Sequence, residues 1–421
     1  MFKKIVLPNN LRLVLSPLKN TTSVTVYVLV RVGSKYESST KRGISHFLEH
    51  MFFKGTKKRP SAYLLSKELD QIGAVFNGFT YKDLTCYYIK SRKEYIDKSL
   101  DILSDIYLNS LFNSKELQKE KGVILEEIKL YEDTPTSLIY DLFETTLYGN
   151  QPAGWSVIGT RKSVLSISDE DLKKFVKKFY SAKNTVISIA GNFKEDEVVN
   201  LVEKYFSNIP NKIIPKNQQV IEKQKSPKKY FLKKDVKQVH LSVGVRAFNI
   251  FDKRKYALNL LGTILGGYMS SRLFQEIREK NGLAYYVKTL VETNPDTGYL
   301  TTNIGVDYQN TSKAVDIILN EYKNMKLFGP EDFEVSMAKE NIKGRTSIEL
   351  EQSDDIALFY GFQEILENQI LSPEQKIAMI QKVTKKDIQD VANFIFQNSK
   401  LNLSVILPKN KKIDIEINQK L

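Results

Sequence analysis

The chain has 421 residues, 42% hydrophobic and 27% charged, with a formal net charge of +14 and one cysteine, Cys86. The length is long for one domain and comfortable for two, and the composition is that of a folded globular chain. A single cysteine excludes an internal disulfide and a cysteine-based zinc site, no apolar run nears the ~18 residues of a membrane span, and the lysine excess forms no dense basic block or nucleic-acid motif.

Residues 4–16 read as a hairpin that turns at Pro8-Asn9-Asn10, and the basic start before it lacks the apolar stretch of a signal peptide, so a cytoplasmic chain is expected. A β-branched run over 22–32 ends at Gly33, and a helix is predicted over 42–53. A second helix over 60–72 opens on Pro60 and closes at Gly73. Strands near 74–80 and 84–91 come next, then helices near 94–110 and 114–133, the latter stopped by Pro135. An irregular piece containing Trp155 leads to a helix near 169–180, a strand near 185–190 and a helix near 195–207.

Residues 210–227 change character, with Pro215, Pro227 and a Lys/Gln-rich run, and read as a linker. Beyond it the order repeats: a strand at 239–245, helices near 253–266 and 270–281, and strands near 284–292 and 298–306. Helices then cover 310–395, and a strand at 401–407 closes the half. A shift of 209 residues places Ser61 on Ser270, Leu64 on Leu273, Asp70 on Glu279, Gly73 on Gly282 and Phe76 on Tyr285. The expected fold is α+β, with two related α/β domains at 1–209 and 228–421, each a mostly antiparallel sheet packed with helices.

Two of the three histidines, His46 and His50, stand four residues apart in the 42–53 helix and so share one face. Glu49 edges the same patch, while Ile44, Phe47 and Leu48 suit a helix packed into a body. Two imidazoles and a carboxylate at one spot suit a zinc ion with a built-in base; the competing reading is a pair of surface histidines. A catalytic zinc usually takes three protein ligands. His240, the remaining histidine, falls in a strand of the other half, so the third ligand is expected from the glutamate-rich helix around Glu120, Glu126 and Glu127. Glu120 and Glu127 share a face and Glu126 lies about 100° from Glu127. Spacing alone does not choose among them.

Gly43-Ile44-Ser45-His46-Phe47-Leu48-Glu49-His50-Met51, Asn77-Gly78-Phe79-Thr80 and the Glu120/Glu127 pair together resemble the pitrilysin family, which includes insulin-degrading enzyme and the mitochondrial processing peptidase. The layout is similar to its short prokaryotic members, over essentially the whole chain. The resemblance implies a zinc-dependent endopeptidase acting on unfolded peptides or presequences, with one Zn2+ per chain. His46, His50 and Glu127 would bind the metal, Glu49 would take a proton from its water, and Glu120 would orient a ligand. Asn77 would hold substrate backbone; without the family it reads as a strand-end residue.

Arg278 and Tyr285, seven apart, are similar to the family's pair for the substrate carbonyl. Without the family they read as an exposed helix charge and strand filler. The resemblance also implies that the chain forms one half of a clamshell, closed by a second copy in a homodimer. No nucleic-acid or membrane partner is expected. The alternative within the family is a non-catalytic structural or assembly subunit.

Overall fold

The computed structural model describes residues 2–367, 369–417 and 421. Strands β1 (Lys3–Val6), β2 (Arg12–Pro17), β3 (Ser23–Val30), β4 (Val75–Thr80), β5 (Thr85–Arg92) and β6 (Thr185–Gly191) form one sheet in the order β1-β2-β6-β3-β5-β4. Strands β7 (Lys228–Lys234), β8 (Val239–Arg246), β9 (Ala284–Thr293), β10 (Gly298–Val306) and β11 (Leu401–Pro408) form the other, in the order β7-β11-β8-β10-β9. In each sheet a single pair is parallel, β2 with β6 and β7 with β11, and the other pairs are antiparallel. Apart from β1, the two orders match strand for strand, so the halves repeat one topology.

Burial follows position in the sheet. The central strands β6, β8 and β10 are buried along their whole length, as strands covered on both faces must be. The edge strands β1, largely exposed, and β7, partly exposed, carry Lys3, Lys4, Lys228, Lys229, Lys233 and Lys234, charges that oppose edge-to-edge pairing. The echo read in the sequence has a backbone cause. Gly73 and Gly282 both take left-handed conformations, with φ of 62° and 59°, each closing a helical segment just before an edge strand.

The compact units correct the contiguous division at 209 and 228. One unit comprises Met1–Ile128, Ser156–Gln218 and Thr346–Pro373; the other comprises Lys129–Trp155, Gln219–Arg345 and Glu374–Leu421. Each half of the sequence therefore lends a segment to the unit of the other. In the first unit the Ser353–Phe362 helix lies on the sheet, with Ser353 Oγ 2.8 Å from Thr25 Oγ1 and the Ser188 hydroxyl donating to the Ala357 carbonyl at 2.6 Å. In the second, the Pro135–Tyr148 helix packs Ile139 and Leu142 on Ile406. This helix occupies a stretch that the sequence pattern marks only as irregular after a stop at Pro135. Pro135 does end the preceding helix, yet it also opens the next one, at a position where its missing N–H costs nothing. Strand β7 was likewise missed, because its lysines mask the alternation.

The helix that carries the histidines is α1 (Ile44–Phe52). Phe47, Leu48 and Phe52 are fully buried in the first unit's core, which fixes the rotation of the helix and turns His46, Glu49 and His50 to the other side. Its start is held by Glu37, whose buried carboxylate accepts from the Gly43 and Ser45 N–H groups at 2.7 and 2.8 Å. Gly43 has φ of 85°, and a Cβ there would sit 2.5 Å from the Ile158 carbonyl. Glu37→Ala should cost about 2–3 kcal/mol by orphaning two buried donors. An unchanged urea midpoint would show that the cap is dispensable.

Candidate metal centre

His46 and His50 project from α1 as neighbours, with ring centroids 4.6 Å apart. The Ser114–Glu132 helix runs past them and presents Glu127, whose two oxygens lie 3.6 Å from His46 Nε2 and 3.5 Å from His50 Nε2. One ligand atom from each residue falls within 4.8 Å of the others. Zinc bonds of 2.0–2.1 Å in a tetrahedron separate neighbouring ligand atoms by about 3.3 Å, so the three donors fit this ion with little adjustment. The glutamates that spacing left unresolved are separated by exposure: Glu126 faces solvent, while Glu127 is half-buried beside the rings.

Glu120 sits one layer out. Its Oε1 lies 2.8 Å from His50 Nδ1, which leaves Nε2 directed at Glu127, and its Oε2 pairs with Lys54 Nζ at 2.8 Å. His46 Nδ1 is buried without a hydrogen-bond partner among the described residues. Burial disfavours charge at these groups, and their mutual contacts overcome it in the metal-free chain. At His50 burial opposes the imidazolium, but hydrogen bonds to Glu120 and Glu127 lift its pKa to about 9. Burial also opposes the Glu127 carboxylate, yet the two imidazoles hold it down to about 2. Glu120 is likewise held below the ordinary carboxylate range by His50 and Lys54, against its burial.

Glu49 stands on the same helix beside the three donors. Burial pushes its carboxyl up, against the pull of His46 and a hydrogen bond from Thr80. The Thr80 hydroxyl donates to Glu49 Oε2 at 2.6 Å. Asn77 lies exposed on β4, the edge of its sheet, and its Oδ1 accepts from the Gly78 N–H at 2.9 Å.

Arg278 and Tyr285 belong to the second unit and lie against each other. Arg278 Nη1 donates to the Tyr285 main-chain carbonyl at 3.1 Å, and its guanidinium sits 5.0 Å from the tyrosine ring centroid. Tyr285 is 79% exposed, so its phenol is open to a ligand. His240 pairs with Tyr286 instead, its Nδ1 2.9 Å from the phenol oxygen. Sequence reasoning gave no role to Lys54 or Thr80. Lys54 could have been found, because it follows His50 by four residues at the end of the helix; Thr80 closes the Asn77-Gly78-Phe79-Thr80 stretch, but nothing local says that it reaches Glu49.

Known proteins place this centre in context. Residues 12–161 match the family model described as insulinase (peptidase family M16), and residues 166–342 match the one described as peptidase M16 inactive domain. A Bacillus subtilis protein described as an uncharacterized zinc protease, YmxG, is 34% identical over 94% of this chain and 96% of its own length. An uncharacterized zinc protease of Rickettsia felis is 36% identical over 96% of this chain and 97% of its own. The crystal structure of a protease from Helicobacter pylori superposes with a TM-score of 0.90 at 26% identity, covering 97% of this chain and 99% of that one. Matching family models over both halves, full-length relatives above 30% identity and the convergent His46, His50 and Glu127 give one conclusion: this chain belongs to the insulinase, or pitrilysin, family of zinc peptidases (M16), in its short two-domain form.

Proposed function

We propose that this chain is a zinc-dependent endopeptidase for unfolded peptides. The observation that supports it is the approach of His46, His50 and Glu127 to within 4.8 Å, with Glu49 beside them on α1. Zinc held by those three would acidify a water and polarise the scissile carbonyl. Glu49 is the general base: it takes the proton of the attacking water and returns it to the leaving amine. Glu120 fixes the His50 ring, and Lys54 keeps Glu120 ionised for that task.

The substrate adds as an extended strand to β4, whose outer edge pairs with no strand among the described residues, with Asn77 contacting its backbone. Arg278 and Tyr285 are assigned to the substrate carbonyl oxygen as a cation and a phenol, on the strength of the family resemblance. So is closure of the reaction space by a second copy of the chain. Among the described residues no helix is long and apolar enough to cross a membrane.

A peptide library read by mass spectrometry tests the reading. Unstructured peptides should be cut, a chelator should abolish cutting, and one equivalent of zinc should restore it. A stably folded protein should survive. Full zinc occupancy with no cleavage of any peptide would leave a non-catalytic subunit.

A further inference from the structure

We propose that Thr80 is the positioning residue of the general base: its hydroxyl clamps Glu49 Oε2 and leaves Oε1 to the water. The inference rests on the function proposed above and deepens it.

Strand alternation sets the geometry. On β4 positions 76, 78 and 80 face α1, and positions 75, 77 and 79 face away. Phe76 meets Phe53, just past the end of α1, with ring centroids 5.9 Å apart. At Gly78 the strand comes so close that a Cβ would lie 2.8 Å from Glu49 Cγ. Thr80 then reaches the carboxylate itself, at 2.6 Å. Among the described residues it is the one side chain that hydrogen-bonds Glu49. Glycine at 78 therefore leaves room for the stem of the base, and threonine at 80 grips its tip.

The grip is rigid. Thr80 sits at the end of β4 opposite Thr85, and the Tyr81 N–H donates to the Leu84 carbonyl at 2.8 Å across the turn between them. That turn is tied down in its own right. Ser34 N–H and Lys35 N–H donate to the Tyr81 and Lys82 carbonyls at 3.1 and 2.9 Å, and the Thr85 hydroxyl donates to the Val32 carbonyl at 2.7 Å. A glutamate has three side-chain torsions to order, and a short charge-assisted bond from a fixed donor removes most of that freedom before substrate arrives. The same bond offsets part of the cost of keeping a buried carboxylate charged.

The test compares Thr80→Val, which keeps the shape and loses the hydroxyl, with Thr80→Ser, which keeps the hydroxyl. With zinc content unchanged in both, Thr80→Val should lower kcat by about ten- to hundredfold while KM moves less than about threefold. Thr80→Ser should stay within about threefold of the parent in kcat. A crystal structure of Thr80→Val should show the Glu49 carboxylate off its parental position, and one of Thr80→Ser should show it in place. Parental kcat in Thr80→Val, equal losses in both variants, or an unmoved Glu49 would overturn the proposal. Should Thr80→Val not fold, Thr80→Ala takes its place. If the parent with its zinc cuts no peptide, the proposed function fails, and the position of Glu49 in the two crystal structures still decides the role of Thr80.

Discussion

Glu49→Gln should retain zinc and lose at least about a hundredfold in turnover, the lower bound for removing general acid–base catalysis. Glutamine matches glutamate in length and shape, and its carbonyl oxygen can still accept from the Thr80 hydroxyl, so the position of the side chain survives. What disappears is a group that can take a proton. Zinc should be unaffected, because the three donors that meet within 4.8 Å do not include Glu49. Elemental analysis beside steady-state kinetics reads both halves of the result. Parental turnover would take the base away from Glu49; lost zinc would mean that Glu49 supports the metal.

His50→Ala should empty the metal centre. It deletes one of three donors and also strands Glu120, which would keep Lys54 but lose its contact to the ring. Two remaining donors make a weak zinc site. Elemental analysis should find little zinc after dialysis, and added zinc should no longer raise the melting temperature, because a ligand stabilises only the state it binds. Stoichiometric zinc in this variant would remove His50 from the ligand set.

The same ring predicts opposite pH trends with and without metal. In the metal-free chain His50 titrates at about 9, well above an unfolded histidine, so its ion pairs stabilise the fold fully below about pH 6.5 and are lost as pH rises through about 9. Zinc must displace that proton, so its affinity should rise by up to about tenfold per pH unit between 7 and 9 and then level off. Glu127, held to about 2, adds no slope in that range. Melting curves of the chelated and zinc-loaded protein across pH 6.5–9.5 should therefore diverge. Parallel curves would show that His50 is not the group that zinc deprotonates.

The site was legible where its geometry is local. His46, Glu49 and His50 share a helix, and helix periodicity with buried Phe47 and Leu48 suffices to aim them together. The duplication was legible too, since Gly73 and Gly282 each close a helical segment in a conformation that favours glycine. What spacing could not resolve was the choice among Glu120, Glu126 and Glu127. Neighbouring residues on one helix differ only by rotation, and that rotation is set by which side the core claims.

Sequence by itself determined that His46, Glu49 and His50 share one helix, the family, and two α+β halves of common design, because each follows from short-range pattern or from motifs that stand contiguous in the chain. Tertiary structure alone decided that Thr80 grips Glu49 across 31 residues and Glu120 grips His50 across 70, and that 129–155 and 346–373 each complete the other half's unit. The reason is physical: contacts between distant segments depend on how whole faces pack, and nothing in the local sequence records which face a remote strand or helix will cover.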